Sequence, residues 1–441
     1  MTNPARFFPS SLRNSLRRTV CGVLSALAIF LIPTAQAQTF SVIHYFSGGD
    51  DGGFSTASLT MDRAGRLYGT TAGGGSFAGQ YCPDGCGVVF RLVQAPGGWV
   101  VEPLYVFQGN DPALGLSPYA PITFGPDGNI YGTTMYGGNP RCYAGCGTVF
   151  RLTPPASACK SPLCPWTETV IHTFGSGSDG TAPLYGALLF DAAGNIYGTT
   201  TAGGANNLGT VYELTPSQGG WTETILHSFA GAGDGSYPAS SLIFDQEGNL
   251  YGTARYGGDL GCDFSQGCGT VFELSPSGSG WTETTLYTFE MTGDIGYDPA
   301  GALVFDAAGN LYGTVPSGGT HTGTVYELQP SGGSWTASAL EQFMGNGGPV
   351  AGLTMDATGN LYGTTAASGS YYHGSVFEMT KQGGTWELTT LHSFDVEGDE
   401  GDNLDGGVLQ DANGNLFGTA SQGGIGSCVH GCGVIWEITP Q

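Results

Sequence analysis

The chain has 441 residues, of which 78 are Gly and only 11% are charged, and its formal net charge is −24 at pH 7. So many turn-forming residues, together with frequent Tyr and Phe, exclude a largely helical protein and favour short strands. The acidic balance excludes nucleic acid and anionic lipid as partners, because recognition of either needs a basic surface.

Residues 1–37 have the pattern of a cleavable signal peptide. A basic start with four Arg residues precedes an apolar stretch from Cys21 to Pro33, and Ala35-Gln36-Ala37 supplies the small residues that signal peptidase requires. The apolar stretch is too short to anchor the chain in a bilayer. After cleavage the mature chain keeps 8 basic and 36 acidic residues, a net charge of −28, and has no predicted membrane span. We therefore expect an exported protein, either periplasmic or secreted.

A tandem repeat fills the rest of the chain, residues 38–441. The tripeptide Tyr-Gly-Thr or Phe-Gly-Thr recurs seven times, and successive copies lie 50 to 66 residues apart. Each copy holds four strand-like segments in the same order, called a to d here, separated by turn residues. One such unit cannot bury both of its faces, so the copies must pack against one another. The tripeptides begin at Tyr68, Tyr131, Tyr197, Tyr251, Tyr312, Tyr362 and Phe417.

The link between segments a and b reads Asp-x-x-Gly-Asn in most copies, for example from Asp191 to Asn195. A Gly that can adopt positive φ beside an Asx residue fits a tight hairpin. We interpret the Asp as the cap of this turn, although a recurring carboxylate also leaves calcium binding open. The Gly of the tripeptide lies inside segment b and predicts the close approach of a neighbouring backbone.

Ten cysteines after residue 37 form five close pairs. An even number in an exported chain indicates disulfide bonds, although a spacing of three intervening residues is also compatible with zinc. We favour disulfide bonds, each of which closes a short loop and contributes about 2 kcal/mol in the chain-entropy model. The pairs are Cys82/Cys86, Cys142/Cys146, Cys159/Cys164, Cys262/Cys268 and Cys428/Cys432.

The two ends of the repeat region complement each other. The segment from Phe40 to Phe46 matches segment d of the other copies, whereas residues 433–438 match segment c and have no segment d after them. A closed ring whose last blade takes its fourth strand from the N terminus explains this offset, while a linear stack would need capping repeats. The sequence therefore predicts an all-β fold, a seven-bladed β-propeller with four-stranded blades.

The run Gly-Asn-Leu-Tyr-Gly-Thr-Thr, followed by Gly-Gly and by Gly-Thr-Val-Phe-Glu-Leu, resembles the GloVer tandem-repeat proteins of bacterial surfaces. The likeness covers residues 40–440. It implies an exported, propeller-like protein whose biochemical activity is unassigned. The Asp-x-x-Gly-Asn-Leu-Tyr hairpin is also similar, more weakly, to NHL-type and lactonase or lyase propellers, but that likeness is too short to transfer catalytic residues.

Candidate binding residues lie in the d–a and b–c loops, which emerge on one face of a propeller around its channel mouth. Variable loops on a rigid scaffold commonly carry binding sites. The d–a loops repeat an acidic turn and the b–c loops add aromatic and polar residues, a combination that suits a sugar or a divalent cation such as Ca²⁺. The Asp-Gly pairs also fit a purely turning role. The candidates are Asp51, Asp111, Asp179, Asp234, Asp294, Asp399, Tyr136, Tyr256, Arg255 and His373.

Four of the seven His residues share one position of segment d, where other copies have Tyr105 and Tyr287, so we assign them a structural role. They are His44, His172, His227 and His392.

The sequence contains no His-Glu-x-x-His, Gly-x-Ser-x-Gly or P-loop motif. We therefore expect a monomeric, non-catalytic binding scaffold for a glycan, a peptide or another envelope component. One alternative is a calcium-assisted enzyme of the lactonase or lyase kind, which needs non-repeated acids and a His that converge on the channel. A purely structural surface protein is a third hypothesis.

Overall fold

The computed structural model describes residues 38–75, 82–109, 113–142, 144–156, 166–175, 177–262, 266–278, 280–318, 322–344, 347–395 and 399–440. These residues belong to one compact unit. The predicted signal peptide, the pair Cys159/Cys164 and Asp111 lie outside the described residues. Within the described part of the chain, no helix has the length and hydropathy that crossing a membrane would require.

Seven four-stranded antiparallel sheets form the blades of a β-propeller, as the sequence predicts. In blade order, the a strands are β2 (Thr60–Met61), β7 (Thr123–Phe124), β13 (Leu189–Phe190), β18 (Ile243–Phe244), β22 (Val304–Phe305), β26 (Thr354–Met355) and β30 (Leu409–Gln410). The b strands are β3 (Leu67–Thr71), β8 (Ile130–Thr134), β14 (Ile196–Thr200), β19 (Leu250–Ala254), β23 (Leu311–Val315), β27 (Leu361–Thr365) and β31 (Leu416–Ala420).

The two outer strands of each blade are longer than strand a. The c strands are β4 (Val88–Ala95), β10 (Thr148–Thr153), β16 (Thr210–Ser217), β20 (Thr270–Ser277), β24 (Thr324–Ser331), β28 (Ser375–Gln382) and β32 (Val434–Thr439). The d strands are β5 (Gly98–Val106), β11 (Thr167–Thr173), β17 (Gly220–Ser228), β21 (Gly280–Thr288), β25 (Ser334–Gln342), β29 (Thr385–Ser393) and, for the seventh blade, β1 (Thr39–Tyr45).

The N-terminal strand closes the ring. β1 pairs with β32 in antiparallel register, with Thr39 opposite Thr439 and Tyr45 opposite Val434. The seventh blade also contacts the first, because the hydroxyl of Thr419 donates a hydrogen bond to the carbonyl of Ala57 at 3.0 Å. The phase offset in the sequence therefore predicts the closure correctly.

The Asp of the a–b link caps its turn. In blade 4, Asp245 Oδ1 accepts the backbone N–H groups two and four residues further on, and Oδ2 accepts bonds from the Asn249 amide and the Tyr251 hydroxyl. Burial raises the pKa of Asp245, but these hydrogen bonds outweigh it and hold the pKa below its ordinary value. Blade 2 has Gly125 at this position. There Asp127 accepts the hydrogen bond from the Tyr131 hydroxyl instead, at 2.8 Å.

The Gly of the tripeptide makes room for an aromatic ring. A Cβ on Gly252 would lie 2.6 Å from Cζ of Phe272 in strand c of the same blade. The expected close approach of a neighbouring backbone is therefore wrong at this position, because the space is filled by a side chain. Phe272 in turn packs edge to face on Phe229 of blade 3, with ring centroids 5.2 Å apart, so the core runs between adjacent blades.

The Thr of the tripeptide links neighbouring blades. Thr70 donates to the carbonyl of Ala120 at 2.9 Å, and Thr314 donates to that of Ala351 at 2.8 Å. Each acceptor lies just before strand a of the next blade. Within one Tyr-Gly-Thr motif, the Tyr hydroxyl bonds to the Asp that caps the turn and the Gly leaves room for an aromatic ring of the core. The Thr hydroxyl links the blade to its neighbour.

Candidate binding site at the channel mouth

The d–a and b–c loops of a blade lie side by side. In blade 2, β6 (Gly115–Leu116) pairs with β9 (Tyr136–Gly137), and in blade 3, β12 (Gly180–Thr181) pairs with β15 (Ala202–Gly203). In blade 4 a single bridge joins Ser236 to Tyr256. The loops that carry the candidate residues therefore share one face of the propeller.

Disulfide bonds tie the b–c loops. Cα–Cα separations of 4.9 to 5.2 Å fall within the range that disulfide geometry requires. Disulfide bonds are typical of proteins that fold in an oxidising compartment outside the cytoplasm. The four bonds in the described residues are Cys82–Cys86, Cys142–Cys146, Cys262–Cys268 and Cys428–Cys432.

Three of the candidate acids are engaged within their own d–a loops. Asp234 Oδ2 lies 3.0 Å from Nε2 of His227, and its carboxylate also accepts backbone N–H groups of the loop. Asp51 and His44 repeat this pair at 3.2 Å. Asp179 accepts the backbone N–H of the next residue at 2.8 Å. These contacts match the turning role that the sequence left open beside a binding role.

The other acids lie apart from these pairs. Asp294 borders a surface cavity formed with strand d of the next blade. Asp399 is exposed, and its neighbour Glu400 pairs with His392 at 2.9 Å instead. Among the described residues, the candidate acids form no common group of three carboxylates.

A cavity of about 320 Å³ is lined by residues from all seven blades and marks the channel mouth. Each blade contributes the residue that lies four positions before its strand a. We call this set the channel ring. Its members are Thr56, Tyr119, Tyr185, Ala239, Ala300, Val350 and Asp405.

The channel ring departs from sevenfold symmetry. Blades 4 to 6 contribute small or aliphatic side chains, whereas blades 7, 1, 2 and 3 contribute a contiguous polar half. Within that half, Tyr119 and Tyr185 lie edge to face with ring centroids 6.1 Å apart. Burial is the main cause that raises the pKa of both hydroxyls, so they remain protonated donors at neutral pH.

Asp405 and Thr56 complete the polar half. Asp405 Oδ2 accepts a hydrogen bond from the Ser421 hydroxyl at 2.9 Å. Burial, followed by the negative charge of Asp402, raises the pKa of Asp405 above its ordinary value despite that bond. The buried Thr56 hydroxyl has no hydrogen-bond partner among the described residues.

Of the described candidate residues that the sequence predicts, Arg255 lines the channel pocket. Its guanidinium donates to both carboxylate oxygens of Asp298, with 2.9 Å between Nη2 and Oδ2, and lies 5.4 Å from the ring centroid of Tyr256. The hydrogen bond to Asp298, the largest effect, raises the pKa of Arg255 further above its ordinary value. This pairing fixes the guanidinium at the mouth and compensates its charge.

Tyr136 lies in a groove that continues from the channel pocket. The groove and the pocket share Thr56, Tyr119 and Asp405, and the groove also includes Asp84. The surface available to a ligand therefore extends outward over blades 7, 1 and 2.

Tyr256 and His373 occupy other parts of the face. Tyr256 borders a separate cavity with Tyr237, and their ring centroids lie 5.6 Å apart. Nδ1 of His373 lies 3.3 Å from the Asp402 carboxylate. The structure thus brings Arg255 and Tyr136 to one continuous surface and leaves the other described candidates outside it.

Sequence reasoning misses Tyr119, Tyr185 and Asp405. It selects the acidic turns of the d–a loops and polar or aromatic residues of the b–c loops, whereas these three lie just before strand a, where other copies have Ala, Val or Thr. The available signal is the departure from the repeat itself, read at the position four residues before strand a.

Comparison with known proteins identifies the repeat. The family model described as the Gloeobacter/Verrucomicrobia repeat matches residues 163–320 and 262–441, which confirms the GloVer resemblance. A search of curated proteins finds no significant match.

Several solved structures are similar to the chain at low identity. They include a gluconolactonase from Xanthomonas campestris (14% identity, 71% of this chain and 82% of that one, TM-score 0.37). An oxidoreductase (glucose dehydrogenase) from Thermus thermophilus matches at 17% identity over 73% of this chain and 96% of that one, with a TM-score of 0.42. An ulvan lyase matches at 11% identity over 90% and 95%, with a TM-score of 0.48. Likenesses this distant carry no argument about activity. Because the family model matches more than half of its residues, the chain belongs to the Gloeobacter/Verrucomicrobia repeat family.

Proposed function

We propose that this protein is a non-catalytic binding protein that holds a glycan at the mouth of its channel. One observation carries the proposal: Tyr119, Tyr185 and Asp405 break the sevenfold repeat where all blades meet. A cavity of about 320 Å³ is at the small end of the range for ligand pockets and suits a sugar unit.

The lining has the chemistry that a sugar needs. Tyrosine rings offer flat apolar faces with a polar edge. Asp405 provides an acceptor, and the Tyr119 and Tyr185 hydroxyls provide donors, for sugar hydroxyls. The mature chain carries a net charge of −28 and its Arg255 is neutralised by Asp298, so an anionic polysaccharide would be repelled. We therefore favour a neutral glycan.

The calcium-assisted enzyme remains the alternative. It needs several carboxylates and a His around the channel, because Ca²⁺ takes 6–8 oxygen ligands. Among the described residues that line the channel pocket, Asp405 is the one carboxylate and none is a His. This lining favours binding over metal-assisted turnover.

We also propose that residues 1–37 are removed on export and that the protein acts in the periplasm or outside the cell. The four disulfide bonds support this location. N-terminal sequencing of the exported protein should begin at Gln38; a mature protein that still begins at Met1 would refute the cleavage.

A glycan array followed by calorimetry, using the untagged mature chain, tests the binding role. We expect a neutral glycan to bind, and Tyr119→Ala, Tyr185→Ala and Asp405→Asn each to weaken its affinity at least tenfold. Tyr372→Ala is the control, because this tyrosine is 61% exposed in a b–c loop of blade 6 and does not line the pocket. No retention across a broad array, or an equal loss in the control, contradicts the proposal. EDTA-sensitive turnover of a bound glycan would establish the enzyme instead.

A further inference from the structure

One position of strand d contacts the next blade around the rim of the ring. At this rim position the Tyr105 hydroxyl donates to Glu168 of blade 2 at 2.5 Å. His392 of blade 6 stacks on Phe40 of the seventh blade. The rim position therefore bridges neighbouring blades at these two boundaries. The residues at the rim position of the seven blades are His44, Tyr105, His172, His227, Tyr287, Glu341 and His392.

At the boundary between blades 2 and 3, the rim position brings three metal-ligating groups together. His172 Nε2 lies 3.5 Å from Glu223 Oε1 of blade 3 and 3.9 Å from Asp179 Oδ1 of the intervening d–a loop. Ligand atoms of all three side chains lie within 4.8 Å of one another. In the part of the chain that the structure describes, no other group of three His, Cys, Asp or Glu residues comes this close.

Two atoms of this cluster are buried without a partner. His172 Nε2 and Glu223 Oε1 are inaccessible to solvent and accept or donate no hydrogen bond within the described residues. A buried polar atom left in this state costs free energy.

The next boundary shows how the same cluster is satisfied without a ligand. Between blades 3 and 4, His227 bonds directly to Asp234 at 3.0 Å, and the Thr285 hydroxyl donates to Glu283 at 2.9 Å. Blade 3 has Ile225 at the position of Thr285, so the same donor is missing beside Glu223. The two boundaries are therefore a matched pair. At one, the Thr285 hydroxyl bonds to Glu283, and at the other, Ile225 leaves Glu223 without this donor.

We propose that His172, Asp179 and Glu223 form a Zn²⁺ site that joins blades 2 and 3. One imidazole nitrogen and two carboxylate oxygens are a ligand set that zinc accepts, with a water in the fourth tetrahedral position. Ligand distances of about 2.0–2.2 Å place tetrahedral donors about 3.4 Å apart. The separations of 3.5 and 3.9 Å from His172 Nε2 are close to this value, and the third pair, Asp179 and Glu223, lies within 4.8 Å. Ca²⁺ fits less well, because it prefers six or more oxygen ligands.

The site is independent of the proposed glycan site, since none of its three residues lines the channel pocket. Titration of the untagged, chelator-treated mature chain with Zn²⁺ in a calorimeter tests it. We expect saturable binding that raises the melting temperature. His172→Ala should weaken the affinity at least tenfold, and Glu223→Gln, which preserves shape, should also lower it and abolish the melting shift.

His227→Ala is the matched control, because it removes the equivalent rim histidine at the boundary between blades 3 and 4, where the Thr285 hydroxyl bonds to Glu283. We expect its Zn²⁺ affinity to equal that of the wild type. Absence of Zn²⁺ binding to the wild-type chain overturns the proposal. So does binding that survives both His172→Ala and Glu223→Gln in folded protein, or an equal loss in His227→Ala.

Discussion

The phenyl ring of Phe40 stacks on the imidazole of His392, with 3.7 Å between ring centroids and 2° between ring planes. Phe40 lies in the N-terminal strand and His392 in strand d of the sixth blade. Phe40 also meets Phe394 edge to face at 5.4 Å. The N-terminal strand therefore closes the ring in two ways, by backbone pairing inside the seventh blade and by side-chain packing on the sixth.

Removing the phenyl ring of Phe40 should weaken the closure of the propeller. Because Phe40 is only partly buried, we expect Phe40→Ala to lower the free energy of unfolding by about 1–3 kcal/mol, less than for a core phenylalanine. Urea unfolding measures the change. The control is Val100→Ala, whose side chain is 47% exposed on strand d of the first blade and should shift stability by no more than about 0.5 kcal/mol. Equal effects would mean that Phe40 has no special role.

A methyl group in strand b should clash with the core. In Gly252→Ala the new Cβ would lie 2.6 Å from Phe272 and 3.0 Å from Leu242, so we expect a loss of about 1–3 kcal/mol. Gly280 in the same blade has nothing within 4 Å of its Cβ position, and Gly280→Ala should be nearly neutral. Chemical denaturation of the two variants compares them directly. A neutral Gly252→Ala would show that the aromatic ring can move aside.

The prediction of the fold succeeds because each strand pattern is repeated seven times and the two ends are complementary. What surrounds Gly252 could not be predicted, since a local pattern does not show which side chain fills a gap. The same holds at the site. Arg255 stands out as a charged residue at a position that is uncharged in the other copies, but Tyr119 and Asp405 become neighbours of the channel only through the geometry of the closed ring. Glu223 likewise meets His172 only across a blade boundary.

The capped turns predict a loss of stability in acid. Burial raises the pKa of Asp306, but hydrogen bonds from Asn310 and Tyr312, among others, lower it below its ordinary value. A carboxyl whose pKa is depressed on folding contributes its full stability above the unfolded pKa of about 4 and loses it as the pH falls through the folded value. The pKa is depressed in the same way at Asp62, Asp127, Asp245 and Asp356.

We therefore expect the free energy of unfolding to fall between about pH 4 and pH 2, and to fall less steeply in Asp306→Asn. Urea titrations across this range provide the measurement. Glu247→Gln, at an exposed acid of another a–b turn, should leave the slope unchanged. A wild-type stability that is flat across this window would contradict the capping role.

Each disulfide bond should join two cysteines of the same loop. Non-reducing peptide mapping should recover the four bonds of the structure and also Cys159–Cys164, which the sequence predicts. Replacing both Cys82 and Cys86 by Ala should cost about 2 kcal/mol, because the bond closes a loop of only a few residues. A peptide that links two different blades would show that the pairing is wrong.

The pair of Arg255 and Asp298 should couple strongly. Asp298 is nearly buried and adopts a φ of 74°, which Asn also tolerates, so Asp298→Asn removes the charge without straining the backbone. Arg255→Ala removes the guanidinium from this buried carboxylate, and we expect a loss of about 2–4 kcal/mol. Arg255→Lys should be intermediate, since an ammonium cannot reproduce the two-pronged contact.

A double-mutant cycle separates pairing from other effects. The combined variant Arg255→Ala with Asp298→Asn should cost clearly less than the sum of the two single changes, because the loss of their mutual interaction is then counted once and not twice. The pair of Arg66 and Asp62, in which the Arg66 side chain is 44% exposed, is the control, and Arg66→Ala should cost no more than about 1 kcal/mol. Simple additivity at Arg255 and Asp298 would mean that the guanidinium is not held by this carboxylate. The charge of Arg255 at the channel mouth would then be uncompensated, which would remove one reason to favour a neutral glycan.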